Sequence, residues 1–293
     1  MSDADRNRIS VRKTYKLYVG GAFPRSESGR SYEVTDGKGR FLANAAQGSR
    51  KDARDAVVAA RKAFAGWSSA TAYNRGQVLY RVAEVMEGRR DQFVDEVVAG
   101  EALTRRKAAA TVDAAIDRWV WYAGWTDKLS QVFGGANPVA GPYFNFSVPE
   151  PTGVVAVLAP QESSLLGLVS VVGPALAGGS TVVVVASEDR PLPAITLGEV
   201  LATSDVPAGV VNILTGRTAE LAPWLASHAD VNAIDLAGAD AAAATDLEIA
   251  AADNVKRVLR PSEDGTGSWA QVPDTRRLRA YLETKTVWHP AGT

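Results

Sequence analysis

Few side chains in this chain have the type and spacing to carry covalent or acid–base chemistry. Cysteine is absent, which removes a thiolate nucleophile, thiolate metal ligands and disulfides together. The only two histidines, His228 and His289, lie far apart in sequence, and no constellation around either predicts a metal site or a Ser-His-Asp triad. His228 follows a helical segment and reads as a surface or helix-end residue. Ser163 and Ser164 have hydroxyls but no evident base, and after Pro160 they read as helix caps. Gly265-Thr266-Gly267-Ser268-Trp269-Ala270 has the letters of a dinucleotide fingerprint. It sits between Pro261 and Pro273, however, without the strand and helix that the mechanism requires. Neither a Gly-x-Ser-x-Gly elbow nor a phosphate loop ending in Lys-Ser or Lys-Thr occurs.

The elements that would position any site fall into two rhythms. Residues 1–13 are polar and of mixed charge and read as a disordered tail. Lys16 to Val19, Ser31 to Val34 and Phe41 to Ala43 read as strands, with a turn at Asp36-Gly37. Helices follow. Ser49 and Asp52 have capping-box spacing, and Ala53, Ala56, Val57, Ala60 and Phe64 recur at helical period. Further helices are expected from Tyr73, over Phe93 to Gly100, and from Lys107 to about Gln131, where the aromatic stripe reads as core. Pro142 to Val148 alternates as a strand, with Pro149 and Pro151 ending it. From Gly153 strands and helices alternate: Val154–Leu158, Thr181–Val185, Val210–Leu214, Val231–Leu236 and Lys256–Leu259 are the strands. Continuous apolar strands joined by helices imply a parallel sheet covered on both faces, with ligands at the carboxyl ends of its strands. Pro261 to Asp274 reads as a linker. Arg276 to Leu282 is a short helix or turn, and Thr284 to His289 a last strand.

Composition narrows the class. A chain of 293 residues buries roughly 75% of its unfolded surface, so a sizeable core is expected. Basic and acidic residues balance at 32 and 33, which leaves no excess charge to neutralise a nucleic acid backbone. The amino-terminal stretch lacks the apolar run of a signal peptide, and no apolar run reaches the length of a membrane span. A cytoplasmic protein is expected, with no nucleic acid and no membrane as partner. Asn145-Phe146-Ser147 matches a glycosylation acceptor, which has no meaning in that setting.

Several longer motifs point to a family. Pro151-Thr152-Gly153-Val154-Val155-Ala156-Val157-Leu158-Ala159-Pro160 resembles the strand that opens the dinucleotide-binding domain of aldehyde dehydrogenases. Gly173 to Val184 is similar to that family's helix-to-strand passage. Val206-Pro207-Ala208-Gly209-Val210-Val211-Asn212-Ile213-Leu214-Thr215-Gly216 is the most specific stretch. The resemblance covers about Tyr15 to Leu259 and resumes at Tyr281-Leu282-Glu283-Thr284-Lys285-Thr286-Val287-Trp288, which is similar to the family's carboxyl terminus. Between these stretches the family carries its catalytic domain, and here about twenty residues join the two.

The resemblance implies an α/β fold: a Rossmann-like open parallel sheet, an N-terminal helical layer and a small antiparallel oligomerisation element. It divides the chain into a cofactor-binding-type domain over 14–260, with an oligomerisation strand at 142–149, a linker at 261–275 and a carboxyl-terminal oligomerisation segment at 276–293. The family's nucleophilic Cys has no counterpart. Glu162 stands where the family has an Asn that helps to hold the oxyanion, and a carboxylate there would repel the developing charge. Pro261 falls near the position of the general base, and proline moves no proton. Glu263, close by, lies in the linker.

The cofactor positions are eroded in the same way. Val185 replaces a Lys that holds the adenosine ribose, while Glu188 keeps the matching Glu position. Leu236-Ala237-Gly238-Ala239 keeps the Gly of the pyrophosphate turn and loses its hydroxyls, and Ala243 replaces a second Gly. Glu188, Gly216 and Gly238 are thus vestigial cofactor-binding candidates. Glu188 reads equally as a solvated surface carboxylate, and Gly238 as a plain strand-to-helix turn. No cofactor is expected, and NAD or NADP binding would be weak at most. The implied function is that of a catalytically inactive subunit assembling with a full-length aldehyde dehydrogenase or with itself. Tyr143, Phe144, Phe146, Lys285, Val287 and Trp288 are the interface candidates. Two other readings stand beside it: a dinucleotide-dependent oxidoreductase or sensor, and a ligand-free structural homo-oligomer.

Overall fold

A computed structural model of the chain describes residues 12–261 and 269–291. The expected tail up to residue 11, Glu263, and the first four residues of the Gly265–Ala270 fingerprint lie outside the described residues.

The chain opens with strands β1 (Thr14–Tyr15), β2 (Ser31–Thr35) and β3 (Phe41–Ala46), which form a small sheet in the order β1-β3-β2. Lys16 to Val19 is not a regular strand. The tight turn at Gly20 and Gly21, both at positive φ, leaves room for only two bridges. In one of them Tyr18 exchanges backbone hydrogen bonds with Ile213.

Helices α1 (Arg50–Ser69), α2 (Ala72–Glu87), α3 (Arg90–Glu101) and α4 (Arg105–Ala123) follow. The Ser49–Asp52 capping box closes the start of α1 from both sides. The expected long fourth helix stops at Ala123, before Gly124, and a turn separates it from α5 (Leu129–Phe133). Its Trp119 and Tyr122 are core residues, as their spacing suggested.

Strands β4 (Gly135–Asn137) and β5 (Tyr143–Pro151) then project as an arm. Strand β5 runs on through Pro149 and Pro151 instead of ending before them. Even-numbered residues of β5 bond to the terminal strand described below, whereas the odd ones turn their backbone to the side of β4. Strand β4 reaches only as far as Ser147, so neither proline removes a ladder bond.

The central unit is β6 (Val154–Leu158), α6 (Leu166–Gly178), β7 (Thr181–Val185), α7 (Leu192–Leu201), β8 (Val211–Leu214), α8 (Thr218–Ser227), β9 (Ala233–Asp235), α9 (Ala241–Ala252) and β10 (Arg257–Leu259). Its five strands are all parallel, in the order β10-β9-β6-β7-β8. Alternate residues of the strands serve two cores. Val154, Ala156, Leu158, Val183 and Val185 pack with α1, α8 and α9. Val155, Val157, Val182 and Val184 face α6 and the N-terminal helical layer. The chain closes with α10 (Arg276–Ala280) and β11 (Leu282–Pro290), which pairs with the full length of β5. No helix among the described residues is long and apolar enough to cross a membrane.

One buried group in the helical layer has a testable pH consequence. The Glu96 carboxylate accepts hydrogen bonds from the Tyr15 hydroxyl at 3.1 Å, the Thr196 hydroxyl at 2.7 Å and the Gln92 amide at 3.3 Å, all on one oxygen. Its other oxygen has no partner. Burial pushes its pKa up, against those hydrogen bonds, which lower it. Folding therefore favours the protonated form. That stabilisation is complete below the unfolded carboxyl value of about 4.3 and is lost as pH rises through the raised folded value. Glu96→Gln removes the titration, so its melting temperature should gain on the parent's as pH rises from about 4 to about 7. A gap between the two that stays constant over this window would show that Glu96 does not titrate with folding.

Candidate functional site

The strand order reverses between β6 and β9: the chain winds outward from β6 to β8 and returns to place β9 on the other side. The carboxyl ends of these two strands form the crevice where open α/β sheets take ligands. Sequence-predicted residues Glu162, Glu188 and Gly238 gather here or one strand away.

The chain's own groups make contacts across the crevice. Gly238, in the turn after β9, leans directly on the end of β6, and its N–H donates to the Leu158 carbonyl at 2.9 Å. A Cβ at Gly238 would lie 1.9 Å from the Ala159 oxygen. Gln161 bridges the same edge. Its amide donates to the Ala159 carbonyl at 2.8 Å, and its side-chain oxygen accepts from the Glu188 N–H at 2.9 Å. The ends of β6 and β7 are thereby joined by one side chain.

The helix starts that face this edge already hold anions. Asp240 caps α9, accepting from the Ala243 N–H at 2.8 Å. At the start of α8, Glu188 accepts from the Thr218 N–H at 3.0 Å and from the Arg217 guanidinium at 2.5 Å. That pairing raises the Arg217 pKa. A polar cleft of about 400 Å³ opens beside Glu188, walled by Tyr32, Asp36, Arg190 and Arg217.

Glu162 is exposed. Its carboxylate accepts from the Trp269 indole at 2.8 Å, and its backbone oxygen accepts from Arg190. Ser163 accepts from the Gly167 N–H at 2.9 Å in the first turn of α6, but the N-cap position is Leu165, without a side-chain cap, and Ser164, expected as a cap, donates to Glu101 instead. Gly216 is remote from Pro261, because they follow β8 and β10 at opposite edges of the sheet, about 19 Å apart at ordinary strand spacing. Gly216 has φ +136°, and a Cβ there would lie 2.9 Å from the Gly48 nitrogen. It lets the β8–α8 turn pass close to the entry of α1.

A second polar cluster was not foreseen. Asp235, fully buried on β9, accepts from Arg277 at 2.8 Å and from the Tyr281 hydroxyl at 2.6 Å. Arg118, also buried, donates to Ser170 and to the carbonyls of Trp269 and Gln271. Together they fasten the end of the linker, at Trp269 and Gln271, and the segment after it to α4 and to the sheet, with Leu278 and Tyr281 wholly buried. Leu278 and Tyr281 thereby join the same core as α6. The legible signal was an Asp inside an apolar strand, which demands a buried partner. Asp240 and Gln161 were likewise missed, although Asp before a helix is a standard cap.

The interface candidates all lie on the arm. Tyr143, Phe144, Lys285 and Trp288 are exposed, while Phe146 and Val287 are half-buried. Among the described residues no His, Cys, Asp and Glu cluster is placed to hold a metal.

Comparisons agree with this architecture. Residues 23–272 match the aldehyde dehydrogenase family model. The 2-hydroxymuconic semialdehyde dehydrogenase of Pseudomonas sp. (strain CF600) is 35% identical over 232 residues, 77% of this chain and 48% of that protein. The mitochondrial aldehyde dehydrogenase family 2 member B4 of Arabidopsis thaliana is 33% identical, over 83% of this chain and 45% of its own length. Among solved structures, HpcC from Thermus thermophilus superposes with a TM-score of 0.81 at 28% identity, over 85% of this chain and 48% of that one. The NAD+ complex of aldehyde dehydrogenase from Bacillus cereus superposes at 0.79 with 25% identity, over 85% and 50% of the two chains. The chain thus spans about half the length of the curated relatives it matches.

Proposed function

Given that the chain belongs to the aldehyde dehydrogenase family, we propose that it is a catalytically inactive member, a structural or regulatory subunit that assembles with an active aldehyde dehydrogenase. The observation that carries this reading is the crevice closed from within. A pyrophosphate needs backbone N–H groups at a helix start and room above the strand ends. Here Asp240 and Glu188 already occupy the helix starts, and Gly238 and Gln161 close the space between β6, β7 and β9. The residues present do not fit the dinucleotide, and no cofactor is assigned. No cysteine exists to form a covalent intermediate, and Glu162 is engaged with Trp269. The reading keeps the protein in the cytoplasm, beside the soluble dehydrogenase it would accompany.

The test is a tagged pull-down from the source cells with native mass of the eluate. Co-elution, in fixed ratio, of a chain carrying a Cys-bearing aldehyde dehydrogenase domain is the expected result. Elution of this chain alone overturns the hetero-subunit reading. A parallel calorimetric titration with NAD and NADP should give no saturable heat. Saturable binding would favour a dinucleotide sensor, and its absence together with a single-chain eluate would leave a ligand-free structural protein.

A further inference from the structure

Helix α10 carries three arginines in five residues, and they face two ways. Arg277 is turned inward onto Asp235 at 2.8 Å, and Leu278 and Tyr281 beside it are buried. Those contacts fix the helix in place. Arg276, Arg279 and Ala280, spaced i, i+3 and i+4, share the other face and line an open cleft of about 1010 Å³. Both arginine side chains are exposed, and among the described residues neither pairs with a carboxylate. Arg257, also on the cleft, is already neutralised by Glu283, which accepts from its Nε and its Nη2. Asp274 is the single acid among the lining residues. It accepts from the Arg276 backbone N–H at 2.9 Å, not from a guanidinium.

Much of the remaining lining is apolar, with Val132 and Phe133 of α5 joined by Pro149 and Leu282. Val132 is 52% exposed. Phe133 stacks on Trp125 with centroids 6.3 Å apart and 19° between the planes, which holds its half-buried ring in one orientation. A concave site that joins exposed apolar side chains to unpaired guanidinium groups fits an anion with an apolar body. The cationic side is built by residues after 272, where the match to the family model ends. Pro149 precedes β6 and Arg257 opens β10, so the cleft lies toward the amino ends of the parallel strands. It shares no residue with the crevice at their carboxyl ends.

We propose that this cleft binds a small organic anion, a carboxylate or phosphate monoester carrying an apolar body. Arg276 and Arg279 hold the oxyanion, because a guanidinium fork matches carboxylate and phosphate oxygens in pairs. Val132 and Phe133 cover the apolar part, which removes exposed hydrocarbon from water. Such a site needs neither a dinucleotide nor a second subunit. Ligand binding here and the hetero-subunit reading therefore stand or fall separately.

Calorimetric titration of the full chain with phenyl phosphate and with benzoate separates the two head groups. At least one should saturate with a Kd below about 1 mM. Inorganic phosphate and acetate, the same head groups without a ring, should bind about tenfold more weakly, because they leave the apolar side uncovered. Arg276→Gln and Arg279→Gln should each weaken binding of the aryl anion about tenfold, the worth of a hydrogen bond to a charged group. Val132→Asp, which sets a carboxylate against the ring, should weaken it as well. Arg106→Gln, at an exposed arginine on α4, should leave it unchanged. All four positions are exposed, so the variants should melt with the parent. Failure of both aryl anions to saturate overturns the proposal. So does equal binding of the ring-less anions, or an affinity that survives loss of both arginines.

Discussion

Arg277→Ala should destabilise the protein by about 3–5 kcal/mol, the usual cost of stranding one member of a buried ion pair. The Asp235 carboxylate has no access to solvent and depends on Arg277, on the Tyr281 hydroxyl and on the Ala237 N–H at 3.0 Å. Burial alone would lower the Arg277 pKa, but Asp235 keeps it raised. Burial first, and Asp235 second, push the Tyr281 hydroxyl well up. Both shifts report a carboxylate whose field is met by groups within reach. In a chain of this size such a loss lowers the melting temperature by about 10 °C, read by thermal unfolding. Replacing both partners, Asp235→Leu with Arg277→Leu, should recover most of it, because the desolvation cost disappears along with the pair. An Arg277→Ala variant that melts with the parent would mean that the carboxyl-terminal segment is not held by this pair.

Gly238→Ala is the other large effect. The added carbon would lie 1.9 Å from one backbone atom and 2.7 Å from the next, both of Ala159. Backbone cannot swing aside as a side chain does, so the β9–α9 turn must lift from β6, at a cost of about 3 kcal/mol. Gly66→Ala makes the informative contrast. Gly66 is exposed in α1 with nothing within 4 Å of its added carbon, so the same substitution should stabilise by about 0.5–1 kcal/mol. Urea midpoints of the two variants should move in opposite directions. A Gly238→Ala midpoint that does not fall would mean that the crowding at Ala159 is relieved by movement elsewhere.

Much of this fold was legible because local pattern and tertiary role agree. The valine runs Val154–Leu158 and Thr181–Val185, the capping box at Ser49 and the glycines closing α6 each announce their element within a few residues. Misreadings arose where an answer depended on a distant neighbour. Pro149 and Pro151 looked like terminators until the short reach of β4 showed that their missing N–H groups face no strand. Lys16–Val19 has strand composition, yet Gly20 and Gly21 turn it into a bridge on Ile213. At the site, the replacements at Glu162, Val185 and Ala239 could be read residue by residue. The closure could not. Gln161 meets Glu188 across 27 positions, and Asp235 meets Arg277 across 42. No periodicity encodes such pairs, and only their chemical types hint that a partner must exist.

The carboxylates of Asp240 and Glu188 at the two helix starts have a kinetic consequence. On the proposed reading, a subunit that carries its own counter-anions at these positions would not compete for the free dinucleotide pool. In a mixed oligomer, replacing active chains one by one with this chain would lower the maximal velocity in proportion to the active chains lost. The dinucleotide KM of those that remain would not change. Dose, rather than affinity, would then be the variable such a subunit controls.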